Sequence, residues 1–292
     1  MTWKSRFFRV LLALAVAVIV PAARAASKAD TGSTNYQLPI DIYHGYLIVA
    51  PVDVGELHGL RFLLDTGCTN TVIDRRVAKR LGLAARRAKV LNFDKLIAVE
   101  SSELPEITFG PEQANNLRVL IEDLRYIQTG EAPVDGIIGL DLLRRRNFLV
   151  DYAAARIVFD AAETTDMQAV PMRVSSTTLA VAAQLDGRPV WMIADTGLLR
   201  TMIYERGLET VLENYRVQGH VLSQSTGGWV QNRVSMVLQF RLGAQDLGHE
   251  VLFVSAPPAN RLADVAGYLG PASLKAKQVM FDFDAHQLRW KP

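Results

Sequence analysis

Two carboxylates stand in the same short context in this chain. Asp65-Thr66-Gly67 and Asp195-Thr196-Gly197 each close an apolar run that reads as a buried strand, Phe62-Leu63-Leu64 before the first and Met192-Ile193-Ala194 before the second. A pair of this kind on matching scaffolds can meet across a pseudo-two-fold axis. At a separation of about 3 Å two carboxylates cannot both ionise, so one pKa rises and the pair holds a single proton. The ionised member can then take a proton from a water while the protonated member polarises a carbonyl. The threonine hydroxyl can donate one hydrogen bond and accept another, which suits a clasp between the two scaffolds. The glycine lets the backbone turn sharply and turns its N–H toward the carboxylate. The competing reading is that both Asp residues only cap turns at strand ends.

The elements that would position these groups repeat along the chain. The segment from Phe62 to Ile73 is answered by Met192 to Ile203, with the two Asp residues 130 positions apart. Val134-Asp135-Gly136-Ile137-Ile138-Gly139-Leu140-Asp141-Leu142-Leu143 is answered by Val265-Ala266-Gly267-Tyr268-Leu269-Gly270-Pro271-Ala272-Ser273-Leu274, now 131 apart. Val150-Asp151-Tyr152 pairs in the same way with Phe281-Asp282-Phe283, and Ile157-Val158-Phe159 with Leu288-Arg289-Trp290. Blocks in one order at one spacing mark an internal repeat of about 130 residues. Short β-rich runs separated by turn residues fill both copies: Tyr46–Ala50, Leu60–Leu64, Val119–Ile121, Phe148–Val150 and Ile157–Phe159 in the first, and Thr178–Ala182, Val190–Ile193, Val234–Phe240, Val251–Val254 and Val279–Phe283 in the second. Asp74 to Leu83 fits one short helix. The pattern lapses around 160–172, which separates a first lobe at 37–165 from a second at 166–292, after a polar leader at 26–36.

These residues together resemble a retropepsin-like aspartic peptidase, with two retropepsin-type lobes in tandem as in pepsin-like enzymes. The resemblance rests on the two apolar-apolar-x-Asp-Thr-Gly segments, on Thr71-Val72-Ile73 and Thr201-Met202-Ile203 after them, and on the apolar-Gly segments at 135–143 and 266–274; it spans roughly 36–292. It implies an all-β, bilobal acid-protease fold: two pseudo-two-fold-related β-barrel lobes with short helices. It further implies an endopeptidase in which Asp65 and Asp195 activate water, Thr66 and Thr196 interlock, and Gly67 and Gly197 shape the loops. Asn70 and Arg200, at equivalent positions, would lie near the substrate floor, and Arg200 would bring a permanent positive charge unless a carboxylate pairs with it. A hairpin from each lobe would close over substrate. Ser225-Thr226-Gly227-Gly228-Trp229 is the candidate in the second lobe, with Gly227 and Gly228 as the mobile turn and Trp229 as apolar cover. The first-lobe stretch, Asn92-Phe93-Asp94-Lys95, lacks glycine and departs from the family pattern; Phe93 would supply cover there. A chain that keeps the fold and binds peptide without cutting it, as a binder or scaffold, is the alternative.

The positions after the triplets depart from the family as well. Pepsin-like enzymes place a hydroxyl residue there, whereas this chain has Cys68 and Leu198. A thiol donates weakly and leucine not at all, so the dyad is expected to hold its proton to higher pH, with an optimum from mildly acidic to near neutral. Cys68 is the only cysteine and no histidine is placed by sequence to serve it, so it reads as a small buried residue rather than a nucleophile.

Composition sets the outer limits. The chain has 292 residues with an apolar fraction of 49%, which is globular rather than disordered. One cysteine allows no disulfide framework, and the five histidines (44, 58, 220, 249 and 286) show no metal-ligand spacing, so no metal and no cofactor are expected. Lys4, Arg6 and Arg9 precede an apolar stretch ending in Pro21 and Ala23-Arg24-Ala25, the pattern of a signal peptide at 1–25, and so of an exported protein, periplasmic or secreted. A retained anchor is the competing reading. The 14 residues between Arg9 and Arg24 would span only about 21 Å of a hydrocarbon core of roughly 30 Å. Cleavage would remove four cations and move the formal charge from +2 to −2, leaving no basic stretch for nucleic acid. The expected partner is a peptide or protein substrate, with no stable membrane insertion after cleavage. Fusion of the lobes makes their meeting intramolecular, so a monomer suffices.

Overall fold

The computed structural model describes residues 10–11, 16–17, 35–92, 95–129, 132–161, 166–205, 218–225, 228–255 and 264–292. The protein is mostly β-strand, with three short helices among the described residues, Arg75–Arg80, Leu140–Leu143 and Pro271–Leu274. No helix among the described residues is long and apolar enough to cross a membrane.

The two halves fold by the same strand order. In the first, the sheet runs Arg86–Asn92, Lys95–Phe109, Glu112–Glu122, Val72–Asp74, Gly136–Ile138, Leu57–Leu64, Leu47–Val54, Asp41–Tyr43. In the second it runs Gly219–Ser225, Gly228–Leu242, Gln245–Ser255, Met202–Tyr204, Gly267–Leu269, Arg188–Ala194, Leu179–Leu185, Gln168–Val174. Each sheet also closes on itself, through Val54↔Ile107 in the first half and Leu185↔Phe240 in the second. Closure removes edges that would otherwise expose unpaired backbone groups.

A shared sheet joins the halves. Gln37–Pro39, Arg156–Phe159 and Phe148–Asp151 come from the first, and Gln278–Asp282, Gln287–Lys291 and Gln168–Val174 from the second. Phe148–Asp151 pairs antiparallel with Gln278–Asp282 at its centre, Phe148 against Phe281 and Val150 against Val279. The Phe148 and Phe281 rings stack with centroids 4.8 Å apart, inside one core that runs through both halves to Trp290. Side-chain amides cross the same seam: Gln278 Nε2 donates to Asp151 Oδ2 at 2.9 Å and Asn147 Nδ2 to Asp282 Oδ1 at 3.2 Å.

The strands under each Asp-Thr-Gly are continuous apolar runs because both of their faces are covered. Phe62, Leu63 and Leu64 are all buried, as are Met192, Ile193 and Ala194. Each run lies parallel to the strand of the later motif, Ile137 beside Leu63 and Tyr268 beside Ile193. Past Val72–Asp74, the Asp74 side chain accepts from the Arg76 N–H at 2.8 Å and caps the helix Arg75–Arg80, with Lys79 and Arg80 in its last turn.

Candidate active site

The loops carrying Asp65 and Asp195 begin where those strands end. The Asp65 N–H donates to the Ile138 carbonyl at 3.0 Å and the Asp195 N–H to the Leu269 carbonyl at 3.1 Å, so each acid is fixed to the neighbouring strand at its own backbone. Within its loop, Asp65 Oδ1 accepts from the N–H groups of Gly67 and Cys68, both at 2.9 Å. Asp195 Oδ1 accepts from the Gly197 N–H at 2.9 Å.

Four hydrogen bonds tie the loops to each other. Thr66 Oγ1 donates to the Ala194 carbonyl at 2.7 Å and accepts from the Thr196 N–H at 3.1 Å. Thr196 Oγ1 donates to the Leu64 carbonyl at 2.9 Å and accepts from the Thr66 N–H at 3.1 Å. Each hydroxyl uses one donor and one acceptor, and all the groups are buried. The clasp brings the carboxyls within hydrogen-bonding reach of one another.

Gly67 has a steric reason beyond its turn. A Cβ built there would fall onto the Asp195 carboxylate, 2.5 Å from Cγ. Its φ is not in the left-handed region. Room for the opposing acid, rather than backbone freedom, excludes a side chain.

Both carboxyls hold their proton well above the usual carboxylate range. For Asp65 the largest cause is burial, followed by the charge of Asp195 and the hydrogen bond between them; for Asp195 it is burial, opposed by hydrogen bonds from Asp65 and its own loop. Asp65 Oδ2 is buried and has no donor among the described residues. An orphan oxygen beside a second carboxylate is costly unless a proton lies between them. The pair is therefore best described as two acids sharing one proton.

A second layer supports the loops, and it differs between the halves. Thr71 donates to Asp141 through its N–H at 3.0 Å and its hydroxyl at 2.8 Å, and accepts from the Gly139 N–H at 3.2 Å. A Cβ on Gly139 would meet the Asn70 carbonyl carbon at 2.5 Å, which keeps that crossing tight. Burial pushes the Asp141 carboxyl up to about 6 against the pull of the Thr71 donors. In the second half the repeat puts Ala272 at this position, and Thr201 instead pairs with Ser273, hydroxyl to hydroxyl at 2.5 Å. The sequence reading passed over Asp141. The only signal was its lack of an acidic partner in the aligned blocks.

The remaining residues singled out from sequence fall in several places. Cys68 is fully buried and its thiol donates to the Asn70 carbonyl at 3.1 Å; burial and the negative charge of Asp65 push that thiol well up, the opposite of an activated nucleophile. Asn70 is half-buried, with an Oδ1 that has no donor among the described residues. Arg200 is exposed and makes no ion pair among them. Two long antiparallel strand pairs stand at equivalent places, with Asn92 paired to Lys95 in the first and Ser225 to Gly228 in the second. Phe93 and Gly227 lie outside the described residues. Gly228 and Trp229 begin the strand Gly228–Leu242, where only their backbone is described. No group of three or more His, Cys, Asp or Glu among the described residues could hold a metal ion.

No curated protein matches the chain. Residues 50–142, which hold the first triplet, its supporting strands and the Gly139–Asp141 crossing beneath it, match the family described as aspartyl protease, so that stretch is similar to aspartyl proteases.

Proposed function

We propose that the protein is an aspartic endopeptidase that hydrolyses peptide bonds with a water activated between Asp65 and Asp195, in a cleft between the lobes. The observation that supports this most is the pair of buried carboxyls in mutual reach, on loops bound by reciprocal threonine hydrogen bonds. With one proton between them, the ionised carboxylate removes a proton from water as its oxygen attacks the scissile carbonyl carbon. The protonated partner donates to the carbonyl oxygen. Transfer of a proton to the amine then releases both halves of the peptide, and the dyad regains its single proton.

Burial and the like charge hold the proton to high pH, so the working range lies from mildly acidic to near neutral. The cationic start, apolar stretch and Ala23-Arg24-Ala25 support export to the periplasm or medium, with the chain acting there as a monomer on peptide or protein substrates.

The test compares wild type with Asp65→Asn and Asp195→Asn on a denatured protein mixture from about pH 3 to about pH 8. Wild type should cleave and both variants should be inactive while melting cooperatively. Equal cleavage by all three removes the peptidase reading, and a wild type that binds peptides without cutting them is the binder on the same fold. A rate maximum near pH 3 would contradict the account of the proton.

A further inference from the structure

Beside the acid pair, a set of four equivalent positions among the described residues differs in bulk between the halves. Beside Asp65, Leu63, Cys68, Val72 and Ile137 pack in one buried cluster. Beside Asp195, the equivalent cluster is Ile193, Leu198, Met202 and Tyr268. Each contains the residue two before its Asp and the residue three after it, so each flanks its own carboxyl. The first position keeps its size; the other three grow, from cysteine to leucine, valine to methionine and isoleucine to tyrosine. A fifth position follows the same trend: Asp74, which caps a helix in the first lobe, is replaced by Tyr204, whose ring joins the second cluster.

The strand registers make the comparison strict. Ile137 pairs with Leu63 on one side and Val72 on the other, and Tyr268 pairs with Ile193 and Met202 in the same way. The ring of Tyr268 meets that of Tyr204 edge-on, with centroids 5.9 Å apart and planes at 77°. Both tyrosines are 1% exposed. An edge-on pair inside a buried cluster fills its space at the density of a protein interior.

We propose that the Tyr204–Tyr268 pair sets substrate choice by filling the wall beside Asp195, so that only a small side chain is admitted on that side of the scissile bond. This rests on the peptidase reading above. A pocket discriminates by size when an added methylene must displace packed atoms, and each such mismatch changes kcat/KM by about tenfold or more. Tyr268 is a specificity residue in this account; it takes no proton in the reaction.

The experiment maps cleavage sites in a mixed peptide library by mass spectrometry, for wild type, Tyr268→Ile, Tyr268→Phe and Ile137→Tyr. Wild type should cut with glycine, alanine or serine enriched on one side of the bond. Tyr268→Ile, which installs the first-lobe residue, should raise the relative kcat/KM for leucine or phenylalanine on that side by about tenfold or more, with the other side unchanged. Tyr268→Phe keeps the ring and should keep the size limit. Ile137→Tyr should impose a limit on the opposite side, and it carries the test if Tyr268→Ile shows no cooperative melt. Bulky residues on both sides of the wild-type cut, or a folded Tyr268→Ile with an unchanged profile, would overturn the proposal. Absence of any wild-type cleavage strikes instead at the peptidase reading and takes this one with it.

Discussion

Replacing Thr66 by valine preserves shape and removes one hydroxyl from the centre of the molecule. Two bonds go with it: the donation to the Ala194 carbonyl at 2.7 Å and the acceptance from the Thr196 N–H at 3.1 Å. Both partners are backbone groups in buried surroundings, with Ala194 5% and Thr196 4% exposed. Leaving a buried donor or acceptor unmade costs about 1–3 kcal/mol, so two of them cost about 2–6 kcal/mol. Thr66→Ser keeps both bonds and loses one methyl group, about 1 kcal/mol. Urea unfolding followed by fluorescence and by circular dichroism gives the two differences, with coincidence of the probes checking that both lobes unfold together. Thr196→Val should cost a similar amount, because it removes the mirror pair of bonds to Leu64 and Thr66. A Thr66→Val loss no larger than that of Thr66→Ser would refute the claim that the reciprocal hydroxyls hold the loops together.

Gly67→Ala should abolish peptide hydrolysis and destabilise the fold, because its Cβ would sit 2.5 Å from Asp195 Cγ; an active Gly67→Ala enzyme would show that the loops do not approach as closely as described. Asp141 has a folded pKa of about 6 against an ordinary 3.8, so the folded state keeps a proton that the unfolded chain has already lost. Its contribution is therefore complete below about pH 4 and is lost as pH rises through about 6, at most ~3 kcal/mol for a gap of about two pH units. Asp141→Asn should flatten that part of the stability curve, read by melting temperature from about pH 4 to about pH 7; an unchanged slope would mean that Asp141 does not titrate in this window.

The acids and their scaffold were legible because the repeat displays them twice. Matching Phe62–Ile73 with Met192–Ile203 needs only the sequence, and the strands so marked, Leu57–Leu64 and Arg188–Ala194, are the apolar ones. The long hairpin strands were legible only in part: Val234–Phe240 and Val251–Val254 fall inside Gly228–Leu242 and Gln245–Ser255, but the first half showed less. Of Glu112–Glu122 only its apolar end stood out, and Lys95–Phe109 was passed over. The reason lies in Ser101-Ser102-Glu103-Leu104-Pro105-Glu106-Ile107, where the outward face is polar and a proline interrupts the pattern. Pro105 falls opposite Asn116, which has a φ of 55°, at a gap in the ladder between Leu104↔Leu117 and Glu106↔Asn115. There a missing N–H does no harm. Asp141 and Tyr268 were visible as letters that fail to match across the repeat, but their roles depend on what the fold puts around them. The shared central sheet was also beyond the sequence, since its strands read equally well as parts of either lobe.

The acidity of the pair belongs to the docked molecule rather than to either half. Each loop supplies its own stabilising amides, Gly67 and Cys68 for Asp65 and Gly197 for Asp195. Those amides favour the charged form, and a lobe alone would have them with its carboxyl open to water. What holds the proton to higher pH, namely burial and the facing carboxyl, comes from the other lobe. Near neutral pH that elevation disfavours docking, because one acid must stay protonated in a dry site. The stacked Phe148 and Phe281, the amide links of Gln278 and Asn147 and the threonine clasp supply the opposing stability. Weakening the central sheet should therefore lower the pair's affinity for its proton before the chain unfolds, and in this way a substitution far from the acids would move the pH range in which they titrate.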